Sequence, residues 1–227
     1  MHLPDWVEPV VRYIIDVGLP YTLKIAGTAV VGSAVVGIVL GTLLTIRFAP
    51  LRTLIRLYIE VWRGLPLIVT LFLIVFALPQ ATFHITFQPW VGAAIGLILW
   101  GSAQVAEATR GAIVSIPREQ HEAASALGFG WIGRHAFVVL PQAIRRLLPP
   151  LVSLLVNVIQ NTTLAALVGV TEVLFAAKQQ VERLAAPPPA GELEQHGFAI
   201  YAGVMVAFFL VSFPLTRLAA YLERRLV

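Results

Sequence analysis

Residues Glu122–Gly128 read EAASALG, a mildly polar, helix-forming run in a chain that otherwise avoids water. Upstream, Pro117 suits the first turn of a helix, where its missing N–H costs little. Glu119, Gln120, Glu122, Ala123, Ala124, Ala126 and Leu127 are good helix formers. The two glutamates lie near the N-terminal end, where the helix dipole favours them. Gly128 fits a helix C-cap. The spacing predicts a helix of about three turns, with Ala123, Ala124 and Leu127 as a small, flat apolar face. Phe129, Trp131 and Phe137 follow, and Pro141 is expected to start the next helix.

What surrounds the run decides the fold. Of 227 residues, 58% are hydrophobic and 12% charged, whereas soluble domains carry about 25% charged residues. The chain is therefore expected to be an integral membrane protein. It has no cysteine, which excludes a disulfide framework and Cys-ligated metal. Its five His are scattered without metal-ligand spacing. The start, MHLPDWVEPVVRY, carries Asp5 and Glu8 and lacks the basic opening of a signal peptide. It is expected to form a short amphipathic or irregular lead-in.

A membrane helix needs about 20 mostly apolar residues. Five segments qualify, at about 25–46, 54–78, 89–114, 147–171 and 197–216. Together they predict one all-α membrane domain over 1–227. Pro79, His84 and Pro89 punctuate the link between the second and third spans, and Pro187, Pro188 and Pro189 make a stiff, extended stretch in the link 172–196. The 16 Lys and Arg divide unequally. Arg47, Arg52, Arg56, Arg63, Arg110, Arg118, Arg134, Arg145, Arg146, Arg217, Arg224 and Arg225 fall on one side, and Arg12, Lys24, Lys178 and Arg183 on the other. The positive-inside bias then places the N-terminus outside and the C-terminus in the cytoplasm. EAASALG falls in the long cytoplasmic loop, about 115–146, between spans 3 and 4. From the residues alone, two readings of its helix stay open: rest on lipid or on the protein itself, or docking into the groove of a cytoplasmic partner.

The wider stretch EAASALGFGWIGRHAFVVLP resembles the EAA signature of permease subunits of ATP-binding-cassette (ABC) importers, through Glu122, Ala123, Ala124, Gly128, Val138, Leu140 and Pro141. Val138 stands where the family usually has Ile. YIEVWRGLPLIV, EATRGAIVSI, LPQAIRRLLPPL and NTTLAALVGVTEV are similar to segments of its polar amino-acid uptake subfamily, and together they cover about 58–173. Three positions depart from that pattern: Gln104 where Tyr is frequent, Glu119 where Gly is frequent, and Gln160 where Lys is usual.

The resemblance implies a type I ABC importer fold in the bacterial cytoplasmic (inner) membrane. It makes the EAA helix a coupling helix, with Glu122, Ala123, Ala124, Leu127, Gly128, Leu140 and Pro141 as the ATPase-coupling residues. It implies a cytoplasmic ABC ATPase dimer, a second permease subunit (identical or related) and a secreted or periplasmic amino-acid-binding protein as partners, with the lipid bilayer around it and no nucleic acid. No cofactor is expected in this chain; ATP and Mg belong to the partner ATPase. A G-x-x-x-x-G-K-[ST] loop is absent, in keeping with a chain that is not itself catalytic.

Polar groups inside spans are costly and are functional candidates. Asn157, Gln160, Asn161, Thr162 and Thr163 cluster in the fourth span. From Asn157 to Thr163 they lie roughly 16 to 26 Å beyond Arg146 along a helix axis. Such groups either line a pathway for a zwitterion or join helices by hydrogen bonds. Gln104 and Glu107 lie a turn apart on the third span, and Glu107 a turn from Arg110, which reads as an internal ion pair or as a cation-favouring site. Glu60 and Arg63 are spaced i, i+3 and read as fixing the second helix. Gly27, Gly32, Gly37 and Gly41 read as a packing stripe. An ion-gradient-driven transporter and a membrane enzyme are the competing classes. The first would want an inverted repeat, the second convergent His, Asp or Ser groups; neither is visible.

Overall fold

The computed structural model describes residues 4–46, 48–78, 88–184 and 192–226, with the side chains of 192–195 excepted. All regular structure among them is helical. Helix α1 spans Val7–Leu43 and contains a π-turn at Ile14–Gly18. Then come α2 (Ala49–Gly64), α3 (Leu67–Ala77), α4 (Pro89–Val114), α5 (Arg118–Ala126), α6 (Trp131–Val168), α7 (Val173–Leu184) and α8 (Glu192–Leu226). Four helices, α1, α4, α6 and the His196–Leu226 part of α8, are long and apolar enough to cross a membrane. The number is five if α2 and α3 form one broken span.

Several expected boundaries shift. The second span, expected as one helix over 54–78, is interrupted at Leu65 and Pro66 by a sharp bend. Leu65 is extended (φ −79°, ψ 137°), the conformation that a following proline imposes. Helix α1 starts at Val7, so the lead-in is helical. Helix α6 starts at Trp131, well before 147, so Pro141 sits inside a helix rather than opening one. Its end is also different: α-helix gives way at Thr162 to a 3-10 stretch that stops at Gly169, whose φ is +85°. Helix α7 occupies part of the expected link 172–196; the Pro187–Pro189 stretch, and Pro79 with His84, lie outside the described residues.

The chain forms two compact units. One comprises 1–29, 67–97 and 158–213; the other comprises 30–66, 98–157 and 214–227. In the first unit, Val10, Val173, Ala177, Ile200 and Val204 form an apolar core. Gly18 lets α1 approach α7 closely, since a Cβ there would lie 2.9 Å from Val173 Cα. Tyr13 donates to Gln179 (2.9 Å), and the Val173 N–H donates to Thr22 (3.1 Å). Glu172, fully buried, caps α7 by accepting from the N–H groups of Leu174 and Phe175 at 3.0 and 2.8 Å.

In the second unit, Ala112, Ile113, Ile116, Val139, Ala143 and Leu147 form one core, and Leu44, Ile55, Ile59 and Ala106 another. The glycine stripe of α1 contributes directly. A Cβ on Gly32 would meet Ile98, on Gly37 Val105, and on Gly41 Thr109 at 2.6 Å, whereas Gly27 faces open space. Three of the four glycines therefore serve close packing on α4.

Candidate functional site

Helix α5 is the EAASALG element. Pro117 stands immediately before it and Gly128 after it. Gly128 adopts φ +83°, a left-handed conformation that glycine takes without penalty. The Phe129 N–H donates to Ala124 O (3.1 Å) and the Gly128 N–H to Ser125 O (3.0 Å). That pair of bonds is a Schellman cap, which satisfies the last carbonyls of the helix.

The predicted three-residue face is split. Ala124 points inward at 2% exposure, while Ala123 and Leu127 point outward, Leu127 at 78%. Ile132 (77%) and Phe137 (73%) continue the exposed apolar surface onto α6. Glu122 is exposed and paired i, i+4 with Arg118 at 2.7 Å. Leu140 is half-buried and Pro141 exposed.

Contacts with α6 explain why α5 holds its place. Arg134 donates to Ser125 Oγ at 2.9 Å, and Gln142 donates to Gln120 at 3.3 Å. Buried His135 stacks on Trp131 with ring centroids 4.2 Å apart. Its Nδ1 lies 2.9 Å from the Trp131 carbonyl oxygen, and its Nε2 lies 3.0 Å from Thr45 Oγ1 in the turn after α1. Arg146 donates to the Ser115 carbonyl and, at 3.0 Å, to its hydroxyl, so α6 also holds the segment leading into α5. His121 and His135 flank EAASALG in the sequence without an acidic partner placed for catalysis, and the packing roles of His135 and Ser115 are not legible there because they depend on contacts far away in the chain.

The pathway candidates fall into separate places. Gln104 and Glu107 line a cavity of about 750 Å3 together with Arg63, Arg146, Ser153 and Glu223. Arg63 donates to Gln104 at 3.1 Å, which replaces the pairing with Glu60 that spacing suggested. Glu107 takes two bonds from Arg110 Nε, at 3.0 and 3.1 Å, so the internal ion pair forms. Asn157 belongs to the same unit, is exposed, and makes no side-chain hydrogen bond among the described residues.

Gln160 to Thr163 belong to the other unit. Gln160 donates to Ser212 at 3.2 Å, an interhelical bond between α6 and α8. Thr162 is buried and donates to Ile159 O, and Thr163 donates to Gln160 O, so both hydroxyl protons are spent on their own helix. Asn161 is half-buried with no side-chain partner among the described residues. Among the described residues no group of three His, Asp or Glu could hold a metal ion.

Residues 33–227 match the family described as binding-protein-dependent transport system inner membrane component. The chain belongs to that family. It is a multi-pass inner-membrane protein, a member of the membrane components of ABC importers. It is 32% identical over 224 residues to the glutamine transport system permease protein GlnP of Escherichia coli strain K12, covering 98% of this chain and 97% of that one. It is also 32% identical over 209 residues to the inner membrane amino-acid ABC transporter permease protein YhdY of the same strain. That match covers 92% of this chain, which spans 55% of YhdY. Among solved structures, an amino acid ABC transporter crystallised with histidines superposes with TM-score 0.80 at 26% identity, covering 99% of this chain and all of that one. A chain of the MetNI methionine ABC transporter in an inward-facing conformation shares the fold, with TM-score 0.72 at 17% identity.

Proposed function

We propose that this inner-membrane component is the permease subunit of an ATP-driven importer of a polar or charged L-amino acid. Its N-terminus lies outside and its C-terminus in the cytoplasm, the sense in which twelve of the 16 Lys and Arg face inward. A secreted or periplasmic binding protein delivers the substrate, two permease subunits form the path, and a separate ABC ATPase dimer supplies the energy with its own ATP and Mg. The resemblance to GlnP and YhdY supports an amino acid as cargo.

The observation that carries the reading is α5. It is capped at Gly128, tethered to α6 by Arg134 and Gln142, buries Ala124, and presents Ala123 and Leu127 outward beside Ile132 and Phe137. A short tethered helix that leaves Ala123 and Leu127 exposed beside an apolar surface is suited to a groove in a partner. Because α6 holds it, displacement of α5 by an ATPase is passed to a candidate membrane helix. Glu122→Lys should reverse the charge beside Arg118, and Gly128→Asp should break the cap. Both should uncouple ATP hydrolysis from uptake or strip the ATPase from the membrane. Normal uptake with the ATPase still bound in both variants would refute the docking.

For the cargo, the arrangement of amides matters. Asn157 and Asn161 retain free donors and acceptors, while Thr162 and Thr163 have committed their one donor each to their own helix and keep acceptors alone; the asparagines are the stronger pathway residues. Glu107 is matched by Arg110, and Arg63 and Arg146 share its cavity, so the cavity does not carry the excess negative charge that a cationic substrate would favour. Glu107→Gln tests this in an uptake assay. Arginine and lysine transport should persist; a selective loss of those two cations would restore Glu107 as a cation determinant.

A further inference from the structure

A cavity of about 810 Å3 opens beside α5. Arg52 and Arg56 of α2, Arg110 of α4, Arg118 of α5 and Arg134 of α6 all line it. The acid that lines it, Glu122, is already bonded to Arg118, and Arg110 is held by Glu107. Among the described residues Arg52, Arg56 and Arg134 make no ion pair, and Arg134 Nε is buried without a hydrogen-bond partner. Burial and nearby Arg134 hold the His121 imidazole below its usual pKa, so the positive charge here rests on guanidinium groups that do not titrate near neutrality.

The same cavity has an apolar wall. Leu44, Ile113 and Val114 line it, and Val114 is the last residue of a helix apolar enough to cross a membrane. Guanidinium groups match phosphate oxygens in charge and geometry. Basic pockets between membrane helices at the cytoplasmic side suit anionic lipid headgroups. The volume exceeds what one inorganic ion fills, and falls in the range of small-molecule sites.

We propose that this cleft binds a phosphate ester, with the headgroup of an anionic phospholipid as its occupant: phosphate against Arg52, Arg56 and Arg134, and the first methylenes against Leu44 and Val114. The proposal rests on the topology proposed above, which puts this end of the helices at the cytoplasmic face, but not on ATPase docking by α5.

The test uses the full chain in phosphatidylcholine nanodiscs doped with spin-labelled phosphatidylglycerol. The preference of the motionally restricted lipid for phosphatidylglycerol should fall at least about fivefold in Arg52→Gln/Arg56→Gln, the order expected for losing surface charges. It should be retained in Arg52→Lys/Arg56→Lys, and in Arg224→Gln/Arg225→Gln, which removes the same charge elsewhere. Arg134→Gln should lose it too. Unchanged preference in the first variant, or equal loss in the distant one, would overturn the site. Should inorganic phosphate, and not phosphatidylglycerol, bind the lipid-free chain in a manner sensitive to these arginines, the lipid assignment falls and the phosphate chemistry stands. Should the variants keep the lipid but lose a co-purifying ATPase, the cleft is part of that protein contact and the proposal is overturned.

Discussion

Single residues decide how closely the helices approach and where they stop. Gly41 and Gly27 lie on the same helix, yet a Cβ at Gly41 would sit 2.6 Å from Thr109 Cβ while one at Gly27 would touch nothing. Gly41→Ala should therefore destabilise by about 1–3 kcal/mol through overpacking. Gly27→Ala should be neutral or stabilise by up to about 1 kcal/mol through helix propensity. Thermal unfolding of the two variants in detergent compares them directly. Glu172 offers a pH-dependent case. Burial pushes its carboxyl up to about 7, against the two backbone N–H groups that favour the charged form. A folded-state value above the unfolded one contributes stability that is fully present below about 4.5 and is lost as pH rises through about 7. Wild-type unfolding temperature should fall between pH 5 and 8, and Glu172→Gln, which cannot ionise, should flatten that slope. Identical slopes would place the dependence elsewhere. The glycine stripe was visible in the sequence, but which glycines touch a neighbour was not, because that depends on the rotation of α1 against α4.

At the scale of elements, the loop helix is the best-read part of the chain. Pro117 before it and Gly128 after it are local signals, and both act as their chemistry dictates. Its faces were less legible. Ala123, Ala124 and Leu127 look alike as small apolar positions, but Ala124 alone is buried, because the tether from Arg134 and Gln142 fixes the helix rotation. Leu127→Ser should thus leave stability within about 0.5 kcal/mol, while Ala124→Leu should cost about 1–3 kcal/mol and loosen α5. Limited proteolysis of the 115–146 segment checks both: faster cleavage in the serine variant, or none in the leucine variant, would contradict the assigned faces. The break in the second span had its signal in Gly64-Leu65-Pro66, which a count of apolar residues overrides. Helix α7 and the first turns of α1 are too short and too polar to register as spans, although Val173, Ala176, Ala177 and Gln180 of α7 follow a helical period. They form because Val10 and Val173 bury each other with Ile200 and Val204, contacts that only the folded chain supplies.

At the scale of the whole molecule, composition alone separates this chain from soluble proteins, and the surface bears it out: α8 leaves Phe198, Met205, Phe209 and Leu210 exposed, as a bilayer or a second subunit would require. Helix α1, at 37 residues, would run roughly 55 Å, longer than the ~30 Å hydrocarbon core. Apolar stretches therefore locate spans well and helix ends poorly, since a helix continues past the membrane wherever another helix covers it. The proposed docking of α5 supplies the remainder: it would link a small capped helix to a transport cycle that this chain does not power itself. Affinity purification of the tagged full chain from its native membrane tests that linkage most directly. An ABC ATPase should co-purify in stoichiometric amount and be lost with Leu127→Asp although the variant stays folded in the membrane. Full retention of the ATPase by that variant, or ion-gradient-driven uptake by the chain alone without any ATPase, would contradict it.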